Sequence, residues 1–287
     1  HLDGYQDLAL PTDFPRPLLM KGTGNVKAKT YSREVSQQIA KFSNENSVTV
    51  FNSLTAAVYV LLHVYSTQED ITVGMPIANR TNSDLEGIIG FFANTVVSRI
   101  QLDREEDFLQ LLSKVKAESI NSQDHQNVPF EKVVNTVQPE RELSKTPIFQ
   151  VLVNYQVNRE KPGKAGSLNL KPFNYGHDSS KFDLHFAFYE NPDGIIAVAL
   201  EYSTELFTEQ TMVRMADQLG IILDTMTSNP GQKLSSISLL SQEDENEVLT
   251  LSGTRSDHSH DTIHQLIDAV AKKKADQLAV KIGDQHI

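Results

Sequence analysis

Residues 51–65 constrain the fold more than any other part of the chain. Phe51, Leu54, Val58, Leu61, Leu62 and Tyr65 recur on one face at helical spacing, and Ala56, Ala57 and Val60 fill much of the rest. A helix that is apolar nearly all round has no face for water and has to be buried. With 287 residues the chain is long enough, as one large domain or two smaller ones, to bury a sizeable core. Lys and Arg number 26 against 37 Asp and Glu, a net charge of −11. That balance argues against a nucleic-acid duplex or an anionic membrane as partner. The absence of cysteine removes disulfides, thiolate nucleophiles and Cys-based metal sites, and is compatible with a reducing cytoplasm, the expected location. No apolar run approaches the roughly 20 residues of a membrane span, and the first residues carry no signal-peptide pattern.

The opening is loop-like, because Pro11, Pro15 and Pro17 remove backbone donors. From Ser32 an amphipathic helix carries Val35, Ile39 and Phe42 and ends in the polar run Ser43, Asn44, Glu45, Asn46. Beyond the buried helix, residues 71–78 and 95–102 read as strands. Asp103 is expected to cap a third helix bearing Phe108, Leu111, Leu112 and Val115. Asn127 is expected to open a short helix with Pro129 in its first turn. Residues 147–157 read as a long strand and 161–166 as a turn or loop. Phe182, Leu184, Phe186 and Phe188 alternate with Asp183, His185 and Ala187. The turn at Asn191, Pro192, Asp193 and Gly194 then returns a strand over 195–202, which makes a hairpin. Thr208 starts a long helix bearing Met212, Met215, Leu219, Ile222, Leu223 and Met226, which stops at Asn229, Pro230 and Gly231. The order of elements predicts one mixed α/β domain over residues 1–240 and a polar, acidic linker over 241–262. Residues 263–287 then read as a helix with Ile263, Leu266, Ile267 and Val270, followed by a strand over 278–282, too short to be a domain.

The catalytic inventory is thin. No GxGxxG, P-loop, HExxH or GxSxG pattern occurs. Of nine histidines only His258 and His260 form a close pair, and a polar turn explains them better than a metal site. His63, on the buried helix, reads as a satisfied core or boundary residue. His185 shares a strand face with Asp183, a carboxylate able to orient an imidazole, although an ordinary polar sheet face is the simpler reading.

Three segments are too particular to be generic: IGFFANT over 89–95, HQNVPFE over 125–131 and RELSKTPIF over 141–149. In order and spacing they resemble the (I/V)GxFVNT, (H/N)QDxPFE and RDxSRxPLF motifs of nonribosomal peptide synthetase condensation domains. LPTDFPRP over 10–17, DITVGMPIANR over 70–80 and SKFDL over 180–184 are similar to further segments of that family. Residues 263–287 resemble the opening of the adenylation domain that follows within a module. Ala93, Asn127, Glu142 and Lys145-Thr146 replace the family's Val, Asp, Asp and Arg-Asn. Asn127 remains a good helix cap.

The resemblance implies an α/β, two-layer sandwich lobe like chloramphenicol acetyltransferase, the carboxy-terminal half of a bilobal condensation domain. It also implies the parent activity: amide-bond formation between an acyl or peptidyl thioester and an aminoacyl thioester, both held on the phosphopantetheine arms of carrier proteins. The family's catalytic HHxxxDG motif has no counterpart in these 287 residues, so the chain alone is expected to be inactive, without a catalytic residue, bound cofactor or metal of its own. Arg80, Gly90, Asn94 and Thr95 are the expected wall of the substrate and pantetheine tunnel. Asn94 would present its amide to a thioester or the pantetheine arm, and Arg80 would meet a carrier phosphate or an acidic neighbour. His125, Gln126, Pro129, Phe130, Glu131, Arg141, Ser144, Pro147 and Asp183 are expected to be structural. Expected partners are the amino-terminal lobe, carrier proteins and the adjacent adenylation domain. A non-catalytic carrier-binding or scaffold module, or an epimerising or heterocyclising relative, are the alternatives.

Overall fold

The computed structural model describes residues 1–80, 82–85, 87–137, 142–158, 164–165, 168–169, 178–240, 242–251, 262–278, 281–282 and 285–286. The chain divides into two compact units, His1–Leu239 and Leu240–Ile287.

The first unit runs β1 (Gly24–Thr30), α1 (Arg33–Glu45), α2 (Val50–Ser66), β2 (Asp70–Ile77), β3 (Asn94–Gln101), α3 (Phe108–Asp124), α4 (Phe130–Val137) and β4 (Val151–Val157). The short pair β5 (Lys164–Ala165) and β6 (Leu168–Asn169) follows, then β7 (Leu184–Glu190), β8 (Ile196–Ser203) and α5 (Glu209–Ser228). Six strands form one sheet in the order β1-β8-β7-β4-β2-β3. β4 lies parallel to both neighbours and the remaining pairs are antiparallel.

Strand alternation sorts the sheet into two faces. Val151, Val153, Leu184, Phe186, Phe188, Val198 and Leu200 join the main core with the apolar faces of α1, α2, α3 and α5. Leu152 points the other way, into a smaller cluster with Ile148 and Phe149 that α4 covers through Phe130, Val133, Val134 and Val137. As expected, α2 is buried, from Asn52 to His63.

Several sequence readings shift. β1 has no apolar signature because it is an edge strand whose Lys27 and Lys29 reach across to Glu209 and Asp217 on α5. The cap of α3 is Asp107, in a capping box with Gln110, rather than Asp103. α4 begins at Phe130, and Asn127 is exposed rather than its cap. The strand expected from 147 begins only at Val151. Pro147 has no donor for a ladder, and Ile148 sits at φ 74, a left-handed conformation costly for a β-branched residue. The turn expected over 161–166 falls largely outside the described residues. The hairpin holds: the Asn191 side chain accepts from the Asp193 and Ile195 N–H groups, and Gly194 takes φ 74.

In the second unit, α6 (Gln242–Leu251) replaces the irregular start expected of the linker. α7 (Ile263–Lys273) is the expected amphipathic helix, with Thr262 and Gln265 forming a capping box and Ile263, Ile267 and Val270 exposed. Of the strand expected over 278–282, Leu278 lies outside any strand and Lys281–Ile282 form β9, paired with β10 (Gln285–His286).

Gly74 on β2 lets the second cluster approach the sheet. A Cβ there would lie 2.3 Å from the Phe149 ring. That ring is buried between Phe130 and Phe182, with centroids at 5.4 and 5.6 Å, so it has nowhere to move. Gly74→Ala should therefore cost about 1–3 kcal/mol by overpacking, read as a lower urea midpoint. Adding Phe149→Leu should recover part of the loss, a non-additive pair.

Candidate functional site

The motif residues meet one another. Asn94, the first residue of β3, donates both amide hydrogens to carbonyls of the 126–130 loop, to Gln126 O at 2.9 Å and Val128 O at 2.8 Å. Its Oδ1 accepts from the Phe130 N–H at 3.1 Å, so a residue 36 positions away caps α4. The amide expected to face a thioester thus has no hydrogen left to give. Pro129 supplies the carbonyl that receives the first helical bonds of α4, from Lys132 and Val133. Glu131 stands exposed in the first turn, where its charge suits the helix dipole. His125 ends α3, with Nδ1 on the Asn121 carbonyl at 2.9 Å.

A second junction ties three distant segments. The Arg16 guanidinium forks onto both oxygens of buried Asp183 and onto the Ser144 carbonyl, at 3.0 Å to Oδ1 and 2.9 Å to Ser144 O. Asp183 therefore does not orient His185. That imidazole lies 3.1 Å from Asn154 Oδ1 and 3.7 Å from Glu201 Oε2. Gln150 completes the junction, accepting from the Leu8 N–H and donating to Thr146 O, while its own carbonyl takes the Asp183 N–H. Next to Pro147, the strained Ile148 is held by Thr72, whose hydroxyl donates to its carbonyl at 2.7 Å. Arg141 lies outside the described residues.

Arg80 organises the loop that precedes β3. Its guanidinium donates to the carbonyls of Leu85 and, at 2.9 Å, Ile88, and stacks over Phe92 at 4.4 Å. A side chain at Gly90 would press on that same ring, at 3.1 Å. The loop so held turns Ile89 and Phe91 fully outward and Ile88 half outward. Thr95 lines a cavity of about 430 Å³ between β3, α3 and α4, together with Glu118 and His125. Among the described residues no three His, Asp or Glu side chains gather to hold a metal.

The Condensation domain family profile matches residues 1–249. The chain belongs to the condensation-domain family. It is 34% identical over 284 residues to a linear gramicidin synthase of Brevibacillus parabrevis and 33% identical over 282 residues to malpinin synthetase of Mortierella alpina. Each match takes in 98% of this chain but only 6% and 4% of those relatives, respectively. The fold resembles a four-domain nonribosomal peptide synthetase bound to AMP and glycine, with TM-score 0.75, 22% identity, and 94% of this chain against 22% of that one. It also resembles the X-domain from teicoplanin biosynthesis, with TM-score 0.74, 26% identity, and 84% of this chain against 55% of that one.

In this condensation-domain chain, sequence reasoning missed Arg16 and Glu118. Arg16 lies within LPTDFPRP, and its partner Asp183 reads in the sequence as part of a polar sheet face, so nothing local announced that it is buried and needs a cation. Glu118 sits on the sheet-facing side of α3, seven residues before His125, a carboxylate where an apolar residue would be expected.

Two substitutions test the junctions. Arg16→Met leaves the buried Asp183 carboxylate unpaired and should cost about 3–5 kcal/mol in chemical denaturation. Asn94→Asp keeps the acceptor for Phe130 but turns a carboxylate on two carbonyls. It should cost about 1–3 kcal/mol and speed hydrogen exchange at Lys132 and Val133.

Proposed function

We propose that this chain is the carboxy-terminal lobe of a condensation domain, followed by a linker and the first residues of an adenylation domain. The complete domain would join two carrier-tethered thioesters by an amide bond. The observation that carries this reading is the family match over residues 1–249 in a chain that covers only 55% of a solved condensation domain from a polyketide synthase and has no HHxxxDG sequence. The tail reading is supported by coverage: the four-domain synthetase accounts for 94% of the chain, the lone X-domain for 84%.

In the proposed reaction the amine of an aminoacyl thioester attacks the carbonyl of an acyl or peptidyl thioester. A tetrahedral oxyanion forms, and the carrier thiolate leaves as the amide closes. Such chemistry needs two tethered reactants held in line, an oxyanion stabilised and a proton moved. The missing half would supply the histidine. This lobe would contribute a wall built from Arg80, Gly90, Asn94 and Thr95, with Arg80 and Asn94 acting as positioning residues through the loops they hold. The exposed Ile88, Ile89 and Phe91 would pack against the other half. Carrier proteins bearing phosphopantetheine, the amino-terminal lobe and the adenylation domain are the proposed partners, and the cytoplasm the proposed location. A binding module is the second reading, favoured by likeness to an X-domain solved in complex with OxyB.

The test uses loaded carriers and mass spectrometry of the dipeptidyl product, with this chain alone, the complementary half alone, and both together. Product is expected only from the mixture. Product above the uncatalysed background from this chain alone would overturn the assignment of proton transfer to the other half.

A further inference from the structure

Among the described residues Glu118 is the one carboxylate lining the cavity beside β3, and its side chain is only 8% exposed. Burial pushes the carboxyl above its ordinary value, and the backbone N–H of Arg99 and the Ser122 hydroxyl partly offset this. All three of its polar partners use one oxygen: His1 Nε2 at 2.8 Å, the Arg99 N–H at 3.3 Å and Ser122 Oγ at 3.4 Å fall on Oε1. Oε2 has no partner among the described residues.

His125 stands seven residues along the same helix and so on the same face. Its Nδ1 faces a carbonyl, which can only accept, so Nδ1 carries a hydrogen and in the neutral ring Nε2 is the lone-pair atom. Nε2 also has no partner among the described residues. Two acceptors therefore share a cavity whose other walls include the aliphatic side chains of Val96, Val97, Val128 and Val133. A volume of about 430 Å³ suits a small ligand.

We propose that this cavity binds an aliphatic primary amine, the ammonium on Glu118 Oε2 and the carbon chain against the valines. An anion would meet the buried carboxylate and a fully apolar guest would bring Oε2 no donor, so a cationic donor on an apolar stem is the chemistry that fits. Thr95 is common to this cavity and to the proposed wall, but the amine site rests on Glu118 and stands whether or not the amide-forming step is confirmed.

Methyl NMR of the full chain, titrated with n-pentylammonium and with 1-pentanol, tests it. Saturable shifts at the four valines are expected with the amine, and about tenfold weaker binding of the alcohol, the difference between a charge-assisted and a neutral hydrogen bond. Glu118→Gln should bring the two affinities together. Val128→Phe, at a partly exposed wall position, should abolish both without touching the carboxylate. N-acetyl-lysinamide separates sources. Binding as tight as pentylammonium assigns the site to a lysine side chain, and no binding assigns it to a free amine. Equal affinity for amine and alcohol, no saturable shift, or a preference that survives Glu118→Gln would overturn the proposal. Should the Gln variant not fold, the amine-to-alcohol ratio in the unmodified chain and its loss in Val128→Phe decide the matter.

Discussion

A helix without a solvent face governs the rest of this fold. α2 is buried from Asn52 to His63, so it needs cover on every side, and the sheet, α1, α3 and α5 are what surround it. Burying that helix also buries its polar side chains, and each demands a partner. Ser53 finds Ser43 on α1 at 2.8 Å, Tyr59 reaches Ser98 on β3 at 2.8 Å, and His63 meets the Gln68 carbonyl at 2.7 Å. These bonds tie α2 to particular residues of its neighbours, a specificity that apolar packing alone lacks. Thr55 Oγ1 is the exception, buried without a partner among the described residues.

Elements whose signal is local were legible in the sequence. The 3.6-residue period of α1, α2 and α5, the alternation of β7 from Leu184 to Phe188 and the turn at Asn191 all depend on residues close in the chain, and each appears where expected. Phe182, expected on the same face as Leu184, instead precedes the strand and joins the smaller cluster. The misses share a cause. β1 carries lysines because it is an edge strand whose partners on α5 lie more than 180 residues away. The cap of α4 is likewise Asn94 rather than a neighbour, and no local rule identifies a cap supplied from another strand. Ile148 is the sharpest case: nothing about a Pro-Ile pair announces a left-handed isoleucine, because the compensating bond comes from Thr72.

The same distinction applies to the candidate site. The motifs themselves were visible, and their structural role was the favoured reading for residues 125–131 and 141–147. Invisible was that they answer one another. Phe130, Phe149 and Phe182 come from three separate motifs and form one aromatic cluster on Gly74, Phe182 stacked on Phe149 and Phe130 tilted against it. Arg16, Ser144 and Asp183 come from three as well. A motif read singly looks like a set of residues awaiting a ligand. Taken together, these residues are each other's ligands.

That mutual satisfaction limits what the proposed tunnel wall could offer. Asn94 and Arg80 were expected to offer polar groups to a substrate, yet Asn94 gives both amide hydrogens to carbonyls and Arg80 caps two carbonyls across its own loop. In the proposed function, side chains committed in this way would act by holding backbone still. Orientation of two tethered reactants benefits from rigid walls more than from extra donors, since a near-attack geometry is lost with small displacements. The loop fixed by Arg80 carries Ile88, Ile89 and Phe91 outward, so the rigid element ends in an apolar surface. An apolar surface on a rigid support can exclude water from a reacting thioester without hydrogen-bonding to it. Under the proposed function, the physical demand on this lobe would be shape and dryness, which packing and buried pairs supply.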